Sequence, residues 1–393
     1  MFKNFSIGII GGGQLGRMLA LKAFEKGFKV AVLDPNENAP ASSICHHKIV
    51  ADYGSKRAID NLIKISDVIT YEFENIEVEL LDYYKDKIKI YPNHEILKIS
   101  KNRNLEKEFA RKYGILIPEI FPVKILKNKK EEIFNLYHNL KKTNKEWILK
   151  KAEGGYDGKY QISLSNTLTL EDFELQISNL FRFWNTSQIE IIIEEKIDFE
   201  FEFSIIACGH KINNGINVVF FAPFINYHKN GILRKSFTFK DFELNISEIL
   251  EAIRNMILDY NYIGILTLEF FYKNGKIYFN ELAPRVHNSG HLTMEAYNYS
   301  QFECHIRAIS NLPILQPELR SNAGMINLIS INNLDLHPDL IHRILNIPNT
   351  YFHYYGKINP QQNRKMGHIN ILNDDKNQLL ETTDAIEKLI YSH

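Results

Sequence analysis

Asn280-Glu281-Leu282-Ala283-Pro284-Arg285-Val286-His287-Asn288-Ser289-Gly290-His291 follows at once on a short apolar run, Lys276-Ile277-Tyr278-Phe279. Upstream lies a second strand-like run with an acid inside it, Thr267-Leu268-Glu269-Phe270-Phe271. Asn274-Gly275 between them is the dipeptide that favours a tight hairpin. Pairing the two runs predicts Glu269 and Glu281 on one face. Two carboxylates aimed at one point repel unless a divalent cation lies between them. Magnesium suits such a pair, because it takes carboxylate oxygens together with nucleotide phosphates. The turn that follows carries Arg285, His287, Asn288 and Ser289, a dense donor set suited to a small oxyanion.

Composition narrows the partners. The chain has 393 residues, enough for two or three domains, and 45% of them are hydrophobic, enough for a full core. Lys+Arg and Asp+Glu are both 47, so the formal net charge is zero. That balance argues against nucleic acid or an anionic membrane as the main partner. Cys45, Cys208 and Cys304 are far apart and match no zinc or disulfide framework. His287 and His291 are four apart, but Asn288-Ser289-Gly290 is poor helix and no third ligand follows, which argues against zinc. No run reaches the ~18 apolar residues of a membrane helix, and Gly11-Gly12-Gly13-Gln14 interrupts anything resembling a signal peptide. The expectation is a soluble cytoplasmic protein.

The N-terminus reads as a βαβ unit. Ser6-Ile7-Gly8-Ile9-Ile10 is a strand, Gly11-x-Gly13-x-x-Gly16 a turn, residues 17–24 a helix stopped by Gly27, and Lys29 to Asp34 a second strand. The glycines let backbone N–H groups approach an anion at the helix start. Asp34 sits where a ribose-binding acid is expected. Taken alone, this unit points to a dinucleotide or to phosphate of any kind. Residues 67–75 form a further strand ending in Glu72 and Glu74, which are candidates to hold a polar substrate against the glycine loop. Residues 94–113 read as helical, and Arg103 falls just past a domain boundary placed near residue 98.

Two more stretches carry chemistry. Trp147-Ile148-Leu149-Lys150-Lys151 is a strand followed by Glu153-Gly154-Gly155-Tyr156-Asp157-Gly158-Lys159 and a second strand from Gln161. A glycine-rich loop between strands can fold over phosphates while a strand lysine, here Lys150, reaches them. Ile189 to Ile197 is a strand ending in acids, and the strand after it carries Glu200 and Glu202; such acids accept hydrogen bonds from an adenine amino group or ribose hydroxyls. His228 lies in a loop. Residues 247–260 form an amphipathic helix that belongs to the core. Near the C-terminus, Arg364-Lys365 runs into a strand, and a basic pair beside Gly367 suits a phosphate.

Taken together, residues 11–18 (Gly-Gly-Gly-Gln-Leu-Gly-Arg-Met), 154–159 (Gly-Gly-Tyr-Asp-Gly-Lys), 280–291 and 364–368 (Arg-Lys-Met-Gly-His) resemble the 5-(carboxyamino)imidazole ribonucleotide synthases of the ATP-grasp superfamily, in order and over nearly the whole chain. The resemblance implies a mixed α/β and α+β fold: a Rossmann-like pre-ATP-grasp domain (1–98), an ATP-grasp domain (99–310, with a small lid at about 120–190) and a short β-rich C-terminal extension (311–393). It implies carboxylation of 5-aminoimidazole ribonucleotide with ATP and bicarbonate, magnesium as the ion, and a homodimer. It further implies that Arg103 and Lys150 contact ATP phosphates under a loop formed by Gly155, Tyr156, Asp157, Gly158, Lys159, Tyr160 and Gln161. Glu194, Glu195, Lys196 and Ile197 would line adenine, Glu202 the ribose, and His228 the nucleotide. Glu269 and Glu281 would hold the metal beside Asn280. Arg285, His287, Asn288 and Ser289 would grip bicarbonate and the carboxyphosphate made from it. Tyr156 and Asp157 would face the aminoimidazole, with Asp157 taking a proton. Gln14, Glu72, Arg364 and Lys365 would seat the ribonucleotide, the two basic residues near its phosphate, and Lys365 would also count among the catalytic residues. Tyr160 stands where such loops usually have a second glycine. Other ATP-grasp ligases, such as a formate-dependent phosphoribosylglycinamide formyltransferase, differ mainly in the substrate-facing loops. An NAD-dependent oxidoreductase would leave the 154–159 loop and the paired acids unexplained.

Overall fold

The computed structural model describes residues 4–127, 129–154, 161–165, 167–213, 215–330, 337–358 and 361–391. The chain forms two compact units. The first gathers Met1–Lys98, Glu202–Glu269 and Leu282–His393; the second gathers Ile99–Phe201 and Phe270–Glu281.

The first unit opens with the expected βαβ. Ser6–Ile10 is the middle of a parallel sheet ordered His47–Val50, Lys29–Asp34, Ser6–Ile10, Val68–Tyr71, Lys89–Ile90. Both faces of the sheet are covered, which explains the continuous burial of Ser6–Ile10. Helix Gln14–Glu25 buries Leu15, Met18, Leu19 and Ala23 at helical spacing. It stops at Gly27, whose φ of 77° is a conformation glycine adopts without strain.

A second sheet holds the rest of this unit. Phe201–Ile212, Phe224–Lys229, Ile232–Thr238, Ala323–Ile329, Lys365–Leu372 and Thr350–Tyr354 lie side by side in that order, all antiparallel. The C-terminal strands therefore extend the sheet begun by residues 201–238. Helix Lys376–Tyr391 packs Leu379, Ile386 and Ile390 against Phe237, Ile326 and Ile369. Glu387 fastens it by accepting from Arg234 Nε at 2.9 Å.

The second unit is built on an antiparallel sheet ordered Ile120–Leu126, Gln188–Glu195, Trp147–Lys151, Gln161–Leu164. Helices Lys130–Lys142 and Leu170–Phe183 cover one face, burying Ile133, Leu140, Phe173 and Ile177 against Trp147, Leu149, Ile191 and Ile193. Alternation along the strands sends Lys150 and Glu194 to the other face. Thr169 and Asp172 close a reciprocal capping box on the second helix. Residues 94–113, read as helical, form two helices, His94–Ser100 and Arg103–Lys112. The break is Asn102, whose Oδ1 accepts from Asn104 and Leu105 N–H and caps the second helix. The expected hairpin is present. Asn274 and Gly275 both have positive φ, 50° and 75°, as a tight two-residue turn requires.

Gly16 tests how tightly the opening turn is packed. A Cβ there would lie 2.4 Å from Gly11 O, a backbone atom that cannot step aside. Gly16→Ala is expected to destabilise the first unit by about 1–3 kcal/mol, as overpacking does, seen as a lower urea midpoint at unchanged slope.

Candidate active site

In the second unit, helix Arg103–Lys112 begins against the end of strand Trp147–Lys151: Arg103 N–H donates to Ala152 O at 2.9 Å. One helical turn on, Lys107 lies on the same face as Arg103 and is fully buried. Its Nζ donates to Asn280 O at 2.6 Å and lies 3.5 Å from Glu194 Oε2. Lys150 Nζ donates to the same Glu194 oxygen at 2.8 Å. Arg103 Nη1 is 3.8 Å from Glu281 Oε2. Three cations thus surround a buried carboxylate.

Burial alone would raise the Glu194 carboxyl, but Lys107, Lys150 and Arg103 outweigh it and hold the pKa at about 2. Burial pulls Lys107 below the usual lysine range, with Glu194 opposing. Glu194 Oε1 has no partner among the described residues and remains available to a donor. The side chains of Glu195 and Lys196 point elsewhere: Glu195 pairs with Lys145 and Lys196 with Glu146, each at 2.9 Å. Ile197 is buried and Gln161 is exposed. Gly155, Tyr156, Asp157, Gly158, Lys159 and Tyr160 lie outside the described residues.

In the first unit the 285–291 turn is almost wholly buried. Arg285 Nη2 pairs with Glu74 Oε1 at 2.7 Å. His287 Nε2 is 3.3 Å from Glu269 Oε1. Burial, helped by Arg285 and Lys365, holds His287 well below the ordinary histidine range, so the ring is neutral at physiological pH. Asn288 is buried, and neither its amide nitrogen nor its oxygen has a partner among the described residues. A buried, unsatisfied donor and acceptor side by side is costly unless a ligand completes it. Ser289 Oγ is 2.8 Å from His287 Nδ1. His228 Nδ1 and the Glu202 carboxylate are hydrogen-bonded across adjacent strands.

Glu72, read as an acid that holds a polar substrate against the glycine loop, bonds to that loop itself. Its carboxylate is turned inward: Gly13 N–H donates to Oε1, and Gly16 N–H donates to Oε2 at 2.5 Å. Asp34 is likewise engaged, accepting from Gly12 N–H at 2.7 Å and from Tyr53 OH at 2.8 Å. A helix start with free N–H groups attracts an anion, and here the protein supplies its own. The same contacts remove the dinucleotide reading, since both the phosphate cradle and the ribose acid are committed. Gln14 Oε1 accepts from Lys357 Nζ at 2.6 Å. Arg364 Nη1 donates to Ile358 O at 3.3 Å, and Lys365 begins strand Lys365–Leu372.

Sequence reasoning missed Lys107 and Lys357. Lys107 sits in Glu106-Lys107-Glu108, which reads as a solvated helix face; its four-residue spacing from Arg103 was the available signal. Lys357 stands alone in a loop, and only its partner in the fold marks it. Glu269 belongs to the first unit and Glu281 to the second; each offers the carboxylate oxygens that magnesium takes together with water and phosphate oxygens.

Three family models match in sequence: the ribonucleotide synthetase preATP-grasp domain at residues 4–101, the ATP-grasp domain at 109–302, and the phosphoribosylaminoimidazole carboxylase C-terminal domain at 323–382. This architecture places the chain among ATP-grasp proteins. It is 36% identical to the N5-carboxyaminoimidazole ribonucleotide synthase of Staphylococcus haemolyticus, over 98% of this chain and 96% of the relative. It is 37% identical to that of Brucella melitensis over 93% and 95%. A solved N5-carboxyaminoimidazole synthetase from Staphylococcus aureus with ADP superposes with a TM-score of 0.85 at 34% identity, over 98% of both chains. The Aspergillus clavatus enzyme with ADP and 5-aminoimidazole ribonucleotide superposes at 0.86 and 25% identity, over 100% of both. The chain belongs to the N5-carboxyaminoimidazole ribonucleotide synthase family.

The cation cluster makes a pH prediction. Glu194 is ionised in the fold down to about pH 2, against an ordinary value of 4.5. Its contribution to stability is therefore complete above about pH 4.5 and is lost as pH falls toward 2. Both tryptophans, Trp147 and Trp184, lie in the second unit, so their fluorescence reports on it. Glu194→Gln, which leaves two ammonium groups without their counter-ion, is expected to destabilise that unit by about 3–5 kcal/mol and to flatten its stability profile between pH 4.5 and 2.

Proposed function

We propose that the chain carboxylates 5-aminoimidazole ribonucleotide with bicarbonate, using ATP and releasing ADP and phosphate, as a step of purine biosynthesis. The observation that carries this reading is the mostly buried Arg285–Ser289 turn, with His287 beside Glu269 and an Asn288 amide that has no partner among the described residues. It is a small, donor-rich anion seat of the kind bicarbonate and carboxyphosphate need. Family membership supplies the nucleotide chemistry, and the Aspergillus enzyme was solved with this ribonucleotide.

Bicarbonate is a poor electrophile. Transfer of the γ-phosphoryl group to one of its oxygens gives carboxyphosphate, which releases carbon dioxide next to the amine. Lys150, Lys107 and Arg103 would bind and orient the ATP phosphates, and the 155–161 loop would exclude water. Glu194, Glu195, Lys196 and Ile197 would line the adenine; Glu202 and His228 would hold the ribose side. Glu269 and Glu281 would hold magnesium, which would neutralise phosphoryl charge as it moves. Arg285, His287, Asn288 and Ser289 would bind the bicarbonate oxygens. Asp157 would take the amine proton beside Tyr156. Gln14, Lys357, Arg364 and Lys365 would seat the ribonucleotide, with Glu72 shaping the loop that carries Gln14. We further read the protein as a cytoplasmic homodimer; Cys45, Cys208 and Cys304 are free thiols. Among the described residues no helix is long and apolar enough to cross a membrane.

Purified chain mixed with ATP, magnesium and bicarbonate is expected to release ADP rapidly only when 5-aminoimidazole ribonucleotide is added. Release with glycinamide ribonucleotide and formate instead would assign a different ATP-grasp reaction. Glu281→Ala is expected to lower kcat by at least about 10²-fold with tryptophan fluorescence unchanged. Asp157→Asn is expected to uncouple ADP release from carboxylated product, read by following both.

A further inference from the structure

The network behind His287 has a polarity that a backbone group fixes. Ser289 N–H, 3.3 Å from His287 Nδ1, can only donate, so Nδ1 is an acceptor and the ring's hydrogen is on Nε2. Nε2 is the atom that faces Glu269.

The side chains behind the ring agree with this direction, link by link. Ser289 Oγ lies 2.8 Å from Nδ1 and donates to it. Ser289 Oγ then accepts from Ser204 Oγ at 2.7 Å. Ser204 Oγ accepts from Asn226 Nδ2 at 3.2 Å, and Asn226 Oδ1 accepts from Ser236 Oγ at 2.8 Å. Ser236 Oγ also lies 3.3 Å from Ser289 O, a second acceptor for its one hydrogen, and no link sets donor against donor. All four residues are buried, so water cannot reverse the chain. Three of them come from neighbouring strands of one sheet, Phe201–Ile212, Phe224–Lys229 and Ile232–Thr238. The peptide groups of His287 are also held: Gln301 Oε1 accepts from His287 N–H at 2.8 Å, and Gln301 Nε2 donates to His287 O at 2.6 Å. A Cβ on Gly290 would strike Gln301 Nε2 at 2.7 Å, so the turn and its clamp are matched.

We propose that Ser204, Asn226 and Ser236 are positioning residues that hold His287 as its Nε2–H tautomer, so that the ring presents a hydrogen-bond donor and not a base at the Glu269 side of the site. The effect on turnover rests on the function proposed above; the tautomer itself does not. His287 then stabilises anionic oxygen in the reacting groups, and the amine proton must leave by another acceptor.

The experiment uses the full chain with ¹⁵N-labelled histidine, the His287 ring signals being assigned by their loss in His287→Gln. The expected spectrum at neutral pH shows a protonated Nε2 and an unprotonated Nδ1; a protonated Nδ1, in either tautomer or imidazolium, overturns the proposal. Asn226→Asp offers Ser204 only acceptors and so reverses the chain. It is expected to shift His287 toward Nδ1–H and to lower kcat about 10²-fold, the scale of one lost transition-state donor, with KM for ATP within about two-fold. Because a buried aspartate can impair folding, Ser204→Ala provides an uncharged second cut, expected to lower kcat about five-fold, as for one neutral hydrogen bond, again with KM for ATP held. Wild-type kcat and an unchanged His287 spectrum in both folded variants would contradict the proposal. A wild-type chain with the expected tautomer but no ribonucleotide-dependent ADP release would instead overturn the functional reading alone.

Discussion

Glu194 must carry charge where water does not reach it. An isolated carboxylate in that position would be neutralised by protonation. It stays ionised because Lys150 donates to it from the neighbouring strand and Lys107 approaches it from helix Arg103–Lys112. The same arrangement works in reverse. Two lysines this close would repel without the acid between them, and their ammonium groups would drift apart. The carboxylate therefore organises the cations, and the second unit's sheet and helix are held in register around it. Arg103, fixed by its backbone bond to Ala152, joins the group from the helix start.

The first unit solves a related problem with main-chain donors. The start of helix Gln14–Glu25 offers N–H groups that must bond to something anionic. Glu72 and Asp34 answer from the ends of strands Val68–Tyr71 and Lys29–Asp34. This is why a glycine pattern typical of dinucleotide binding here makes a rigid turn. One residue aside, Gln14 accepts a hydrogen bond from Lys357. Further along, the 285–291 turn is almost wholly buried, yet the Asn288 amide has no partner among the described residues.

Local pattern carried most of the fold. The apolar run at Ser6–Ile10, the stop at Gly27 and the Asn274-Gly275 turn each have a short-range physical cause, and each element stands where it was expected. The candidate site drew attention where residue types are chemically unusual: a strand lysine at 150, an acid at the end of a β-run at 194, the Arg285–His291 cluster; the structure joins Lys150 to Glu194 and buries most of the cluster. What escaped depends on partners far away in the chain. Lys107 looks solvated until strand Gln188–Glu195 closes over it. Glu72 looks free until the loop at Gly13–Gly16 is folded. Ser204, Asn226 and Ser236 carry no signal, because three common polar residues acquire meaning only when adjacent strands align them. The sheet that unites residues 201–238 with Ala323–Ile329 and Lys365–Leu372 is equally non-local.

The central claim is that this scaffold lets ATP activate bicarbonate through a shared oxygen. Bicarbonate labelled with oxygen-18, supplied with ATP, magnesium and 5-aminoimidazole ribonucleotide, follows that oxygen directly. If a bicarbonate oxygen attacks the γ-phosphorus, it stays on phosphorus when carbon dioxide departs, and mass spectrometry will find one labelled oxygen in each inorganic phosphate. Unlabelled phosphate formed alongside carboxylated ribonucleotide would contradict the account.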